Sequence, residues 1–116
     1  MSLEQFINRQ KPDWPAITIR KNGSICINHK AFEQYEIKET RYASLFFDTQ
    51  ERIMAIKPTG DDKDPSAFKI SKEKNRTYVI SCQSFSKHYG IPYKEGSKTY
   101  RAGWDEKRGM LLVKIG

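Results

Sequence analysis

The chain reads as mainly β with two short helices, built from two β-β-α-β-β repeats that close on one barrel. Three observations carry that reading. Apolar residues alternate with polar ones over most of the chain, the signature of half-buried strands. Asn22-Gly23, a strong hairpin signal, separates two such runs. The pattern of residues 16–58 then returns, with short gaps, in residues 67–116.

The elements follow in order. In residues 1–15, Leu3, Phe6 and Ile7 fall on one face of a short helix, and Pro12 and Pro15 stop it. This segment is expected to be an arm, with Trp14 anchoring it to the body. Ile17 and Ile19 open the first strand, and Ile25-Cys26-Ile27 form the second. Asn28 suits the N-cap of a helix reaching Tyr35, with Phe32 and Tyr35 on one face. Strands at Tyr42–Asp48 and Ile53–Lys57 complete the first repeat, residues 16–58. Residues 59–66 are polar, carry Asp61, Asp62 and Asp64, and read as a solvated linker.

In the second repeat, Ala67-Phe68-Lys69-Ile70 matches Ala16-Ile17-Thr18-Ile19. Tyr78–Ser81 matches Ile25–Asn28, which puts Ser81 at the second N-cap. Trp104-Asp105 and Met110–Lys114 match Phe47-Asp48 and Ile53–Lys57. The expected core is Ile17, Ile19, Ile25, Ile27, Phe32, Leu45, Phe47, Ile53 and Ala55. Its counterpart is Phe68, Ile70, Tyr78, Ile80, Phe85, Ala102, Trp104, Met110 and Leu112.

Composition narrows the function. At 37% apolar and 30% charged, the 116 residues suit one small domain with an economical core. No window approaches the roughly 18 apolar residues of a membrane helix, and the start lacks a signal-peptide pattern. A cytoplasmic location is the expectation, and two cysteines cannot build a disulfide framework. The net charge is +7, and residues 65–116 hold eleven basic against four acidic groups. That asymmetry points to an anionic partner, nucleic acid first.

One stretch pairs Lys21-Asn22-Gly23-Ser24 with Ile25-Cys26-Ile27, and another runs Tyr89-Gly90-Ile91-Pro92-Tyr93-Lys94-Glu95-Gly96-Ser97. With the strand, turn, strand, helix, hairpin order, they resemble the AbrB/SpoVT/MazE-type swapped-hairpin family. The resemblance covers about residues 16–115, nearly the whole chain. It implies a pseudo-two-fold swapped-hairpin (double-split) β-barrel, a dimer of the family type fused into one polypeptide. It also implies DNA binding of a transcription-regulator kind. The chain departs from the family at Asn28 and Ser81, where a proline is usual. The first repeat carries Ser24, Glu33 and Gln34 where the family often carries arginines, and the second carries Arg76, Lys87 and His88.

The candidate nucleic-acid-binding residues are Arg20, Lys21 and Lys30 from the first repeat. Lys69, Lys72, Lys74, Arg76, Lys87 and His88 join them from the second, with Lys87 expected near the second hairpin turn. Lysines and arginines along a strand-turn-strand edge can meet successive phosphates of duplex DNA. They also discourage edge-to-edge aggregation, the alternative reading. Tyr78, Tyr89, Tyr93 and Tyr100 would serve stacking on a single strand or RNA. Cys26, His29, Cys82 and His88 have the inventory of a zinc site but not its spacing. No motif of an enzyme is present, so no cofactor or metal is expected. A protein-interaction scaffold, its arm docking a partner, is the rival function, and homodimerisation of the chain is allowed.

Overall fold

The computed structural model describes Leu3 and residues 14–60, 63–74 and 76–115. Phe6 and Ile7 of the expected arm helix lie outside the described residues, as do Asp61 and Asp62 of the linker. The elements are β1 (Ala16–Ile19), β2 (Ile25–Ile27), α1 (His29–Gln34), β3 (Tyr42–Asp48) and β4 (Ile53–Thr59). They continue as β5 (Phe68–Lys72), β6 (Tyr78–Ile80), α2 (Gln83–His88), β7 (Lys98–Arg101), β8 (Gly103–Asp105) and β9 (Met110–Lys114). All nine strands join one antiparallel sheet in the order β7-β1-β2-β6-β5-β3-β4-β9-β8. The two outer members, β7 and β8, are separated only by Ala102, so the sheet nearly closes on itself.

The strand order shows how the repeats interleave. The first hairpin, β1-β2, finds its outer neighbours in β7 and β6 of the second repeat. The second hairpin, β5-β6, pairs outward with β3 of the first repeat and inward with β2. Strands β4 and β9, one from each repeat, close the far side. This is the swapped-hairpin barrel. A pseudo-two-fold axis passes between Cys26 and Val79, since Ile25 faces Ile80 and Ile27 faces Tyr78.

Both hairpins use the same turn. Gly23 N–H donates to Arg20 C=O at 2.8 Å, and Arg20 N–H donates to Ser24 C=O at 2.9 Å. Arg76 N–H likewise donates to Glu73 C=O at 3.1 Å, and Glu73 N–H to Thr77 C=O at 2.8 Å. Each is a three-residue loop ending in a left-handed residue, Gly23 at φ 85° and Arg76 at φ 65°. Arg20 is therefore the counterpart of Glu73, and Ile17 of Ile70, not of Phe68. The expected match of the opening strands was displaced by two residues, because Phe68 and Ile70 are equally good apolar partners for Ile17.

The helices also differ by a step. Asn28 Oδ1 accepts from Ala31 N–H at 3.1 Å and from Ala16 N–H at 3.0 Å, capping α1 and tying it to β1. The cap of α2 is Cys82, one residue later than the expected Ser81, and it makes no side-chain cap bond. Both helices end alike: Ile37 N–H reaches Phe32 C=O and Ile91 N–H reaches Ser86 C=O, each at 2.9 Å. Glu36 and Gly90 supply the left-handed residues that permit this ending.

The core is single and continuous across both repeats. Ile17, Ile19, Ile25, Ile27 and Ile80 are fully buried, with Met54, Ile56, Leu111 and Val113 against them. The core expected on β4 and β9 falls on the wrong parity. Met54 and Ile56 point inward, leaving Ile53 and Ala55 on the other face, where Ala55 is nonetheless buried, and Leu111 and Val113 displace Met110 and Leu112. Both strands are apolar on both faces, so alternation alone could not choose a side. Aromatic contacts cross the repeats: Phe32 stacks on Tyr78 at 4.0 Å, and Phe47 meets Tyr89 at 4.9 Å. Tyr35 stacks on Trp104, and its hydroxyl donates to Ala102 C=O at 2.9 Å. At the barrel entrance Trp14 is held, its carbonyl accepting from Asn28 Nδ2 at 2.9 Å and its ring lying under Arg101.

Two predictions follow from this geometry. A fragment of residues 1–60 loses β5, β6 and β7, the outer partners of β1, β2 and β3. It should aggregate or pair with itself, and a monomeric fragment that melts cooperatively would overturn the interleaving. The two turns should also answer oppositely to substitution. A Cβ on Gly23 would meet Gln83 Cα at 3.1 Å while holding φ 85°. Gly23→Ala should therefore cost about 1–3 kcal/mol, whereas Arg76→Gly should be neutral or gain up to ~1 kcal/mol. Urea unfolding midpoints check both.

Candidate nucleic-acid interface

Interleaving decides which cations share a surface. Hairpin tip Lys21-Asn22-Gly23 docks on α2 of the other repeat: Ser86 Oγ donates to Gly23 C=O at 2.9 Å, and Gln83 abuts Gly23. Lys87 therefore belongs beside the first hairpin, not the second as expected. Lys98 joins the same corner, because it pairs with Ile19 on β1, two residues before Lys21. Lys94 lies between them on the loop after α2. Lys87, Lys94 and Lys98 line a groove of about 500 Å³ with Gly90, Tyr93 and Glu95.

Lys21, Lys87, Lys94 and Lys98 are all exposed, and none has a carboxylate partner among the described residues. His88 is exposed beside them on α2, its ring edge-on to Tyr89 at 4.7 Å. Glu95 is the acidic member of the groove lining. Three ammoniums without a carboxylate partner, Lys87, Lys94 and Lys98, thus line one concavity, and Lys21 stands on the adjoining hairpin tip. Lys94 and Lys98 were missed by sequence reasoning, which weighed only the hairpins and helices. The signal available was the repeat itself: a swapped barrel sets each hairpin against the loop of the other copy.

The opposite corner has the same architecture and a different balance. There the second hairpin meets α1 through β6, by the Phe32–Tyr78 stack. Strand alternation separates the expected edge: Lys72 shares the side of buried Ile70, while Lys69 points to the other face. Lys72 Nζ is 3.0 Å from Glu39 and lies over the Tyr78 ring. The Tyr78 hydroxyl also donates to Glu39. That bond, then Lys72, hold the Glu39 carboxyl below its ordinary range. Lys30 stands 3.6 Å from Glu33, which His29 also approaches at 3.4 Å. Lys74 and Arg76 remain exposed on the tip.

Arg20 is withdrawn from the expected interface altogether. Its guanidinium clasps Glu73 through two bonds, Nη2 to Oε1 at 2.7 Å and Nη1 to Oε2 at 3.1 Å. The two are counterparts in the pseudo-symmetry, so the axis joins opposite charges where an identical dimer would set like against like. Donation from Arg20 lowers the Glu73 carboxyl pKa and raises that of Arg20 itself. Both ions also act on Cys26, the residue on the axis.

The thiols are poor nucleophiles. Burial pushes Cys26 up to about 11 and Cys82 up to about 12, so neither carries appreciable thiolate near neutral pH. Among the described residues no three or more His, Cys, Asp or Glu side chains come together as metal ligands. Likewise, no helix among them is long and apolar enough to cross a membrane.

The paired carboxylates set the acid response. Folded-state pKa values of Glu39 and Glu73 lie below their unfolded values. Each therefore stabilises the fold above the unfolded value, about 4.3. That contribution fades as pH falls through the depressed folded value. Replacing both by Gln should flatten the loss of stability between about pH 5 and 3, read as urea midpoints against pH. Identical slopes for the parent and the double variant would exclude the two pairs as its cause. Comparison with family models, with curated proteins and with solved structures finds no match, so the chain's function has to be argued from this geometry.

Proposed function

We propose that the chain is a non-catalytic nucleic-acid-binding protein that grips duplex phosphates at the corner built from Lys21, Lys87, Lys94 and Lys98. The observation that carries the reading is the absence of ion pairing there among the described residues. In the opposite corner Glu39 answers Lys72 and Glu33 stands beside Lys30, which leaves Lys74 and Arg76 exposed on the tip. Ammoniums already neutralised within the protein release few counterions from DNA, whereas unpaired ones release nearly one each. The interleaved hairpins support the resemblance to AbrB-type regulators, and a cytoplasmic, DNA-regulatory role accords with it. Duplex is favoured over a single strand because the candidate stacking rings are engaged. Tyr78 and Tyr93 are buried, and Tyr89 packs against Phe47 and Phe85.

The test compares two sets of alanine substitutions by fluorescence anisotropy between about 50 and 200 mM salt, where counterion release is large. Replacing Lys21, Lys87, Lys94 and Lys98 should weaken duplex binding across all sequences. It should also shallow the log–log salt slope by roughly three to four units. Replacing Lys72, Lys74 and Arg76 should shallow it by about two at most, since Lys72 is held by Glu39. No binding at the low-salt end, or a slope that the fourfold change leaves untouched, would remove nucleic acid from this corner.

A further inference from the structure

Strand parity on β3, β4 and β9 leaves an apolar surface on the outside of the barrel. Register places Phe46, Ala55, Leu112 and Gly103 in one row across four strands, with Ile53 and Met110 alongside. The surface is a groove of about 610 Å³, its rim carrying Asp48 and Arg108. Phe46 is 47% exposed there. The only other large apolar side chain so exposed among the described residues is Leu3, at 85%. Leu3 belongs to the segment whose Leu3, Phe6 and Ile7 share the spacing of one helical face.

We infer that these two surfaces are made for each other between copies: the chain forms a homodimer in which residues 3–7 of each copy seat in the Phe46 groove of its partner. Three observations favour this occupant. In the single chain Leu3 is exposed, so it is not seated in its own groove. The segment's root lies beside the row's end, because Ala102 N–H donates to Pro15 C=O at 3.0 Å and Gly103 follows directly. An arm rooted next to its own groove exchanges reciprocally, which closes a two-fold dimer and leaves no free groove to extend a chain of copies. The row spans three strand spacings, about 14 Å. Ten or so residues cover that distance even as a helix at 1.5 Å each. Charge is compatible: Glu4 of the segment has Arg108 on the rim to meet, an exposed guanidinium whose own contact with Asp105 is a long 3.8 Å.

The dimer is tested by light scattering on the eluting full-length chain across a concentration series. The expected mass is twice 13.5 kDa. Phe46→Glu and, separately, Leu3→Glu with Phe6→Glu should each return the monomer. Thermal melts followed by circular dichroism check that both variants still fold. Mixing the two variants should restore an association neither shows alone, since one retains an intact arm and the other an intact groove. A monomeric parent chain overturns the proposal. So does a dimer that survives both changes, or one lost with Phe46→Glu but kept without the apolar arm. The last result would assign the groove to a second sheet face. None of these outcomes depends on nucleic acid, which is omitted throughout.

Discussion

Neither repeat can satisfy its own strand edges, and the rest of the molecule follows from that. A single β1-β2 hairpin offers two open edges, and both are filled by the other repeat, through β7 on one side and β6 on the other. An isolated hairpin has marginal stability in water, since too little apolar surface is buried against it. Here fully buried isoleucines from both hairpins meet in one core, so the repeats become stable together. The two hairpins meet along the short strands β2 and β6, where three residue pairs carry the axis. The Arg20–Glu73 clasp joins the two hairpins beside them, a pairing of opposite charges at equivalent positions that two identical repeats could not make.

Divergence within fixed topology is visible wherever the two copies face the same backbone demand. Gly23 and Arg76 close equivalent turns, and Arg52 (φ 58°) holds the place that Gly109 (φ 66°) fills in the other closing hairpin. Left-handed backbone is costly for a side chain with a Cβ, so these arginines persist against a local penalty. Arg52 has an evident compensation. Its guanidinium donates to Tyr89 C=O at 3.3 Å and covers the Phe47 ring at 5.1 Å. Arg76 makes no such contact among the described residues, and its side chain is left on the surface.

Much of the fold was legible because it depended on local chemistry. Period-two runs, Asn22-Gly23 and the Asn28 cap each specify backbone within a few residues, and the repeat then specifies the partner. What escaped was the choice between equivalent alternatives. Ile53-Met54-Ala55-Ile56 is apolar at every position, so only the cross-strand register with β3 and β9 reveals that Met54 and Ile56 face inward. Phe68 and Ile70 are two residues apart on one face, and only the pairing of Ile70 with Ile80 selects the true counterpart of Ile17. The second closing strand adds a subtler case. Ala43 and Ala102 are counterparts at one end, Phe47 and Trp104 at the other, so the second copy is two residues shorter. The chain accommodates this by breaking its strand at Ala102.

The candidate interface was harder to read for a reason that follows from the swap. Summing charge along the chain credits the second repeat with the excess, and the natural inference places the candidate surface on its hairpin. Topology redistributes that excess. The helix, loop and β7 of the second repeat, with Lys87, Lys94 and Lys98, come to rest against the hairpin of the first, which adds Lys21. The hairpin of the second repeat packs on the first repeat's helix, where Glu39 takes up Lys72 and Glu33 stands beside Lys30, while Lys74 and Arg76 stay exposed at the tip. A carboxylate three or four ångströms from an ammonium removes most of its appeal to a phosphate, while one on the opposite corner hardly matters through a Debye length of about 8–10 Å. Linear charge asymmetry therefore survives folding as a spatial asymmetry, but at the corner opposite to the one the sequence order suggests.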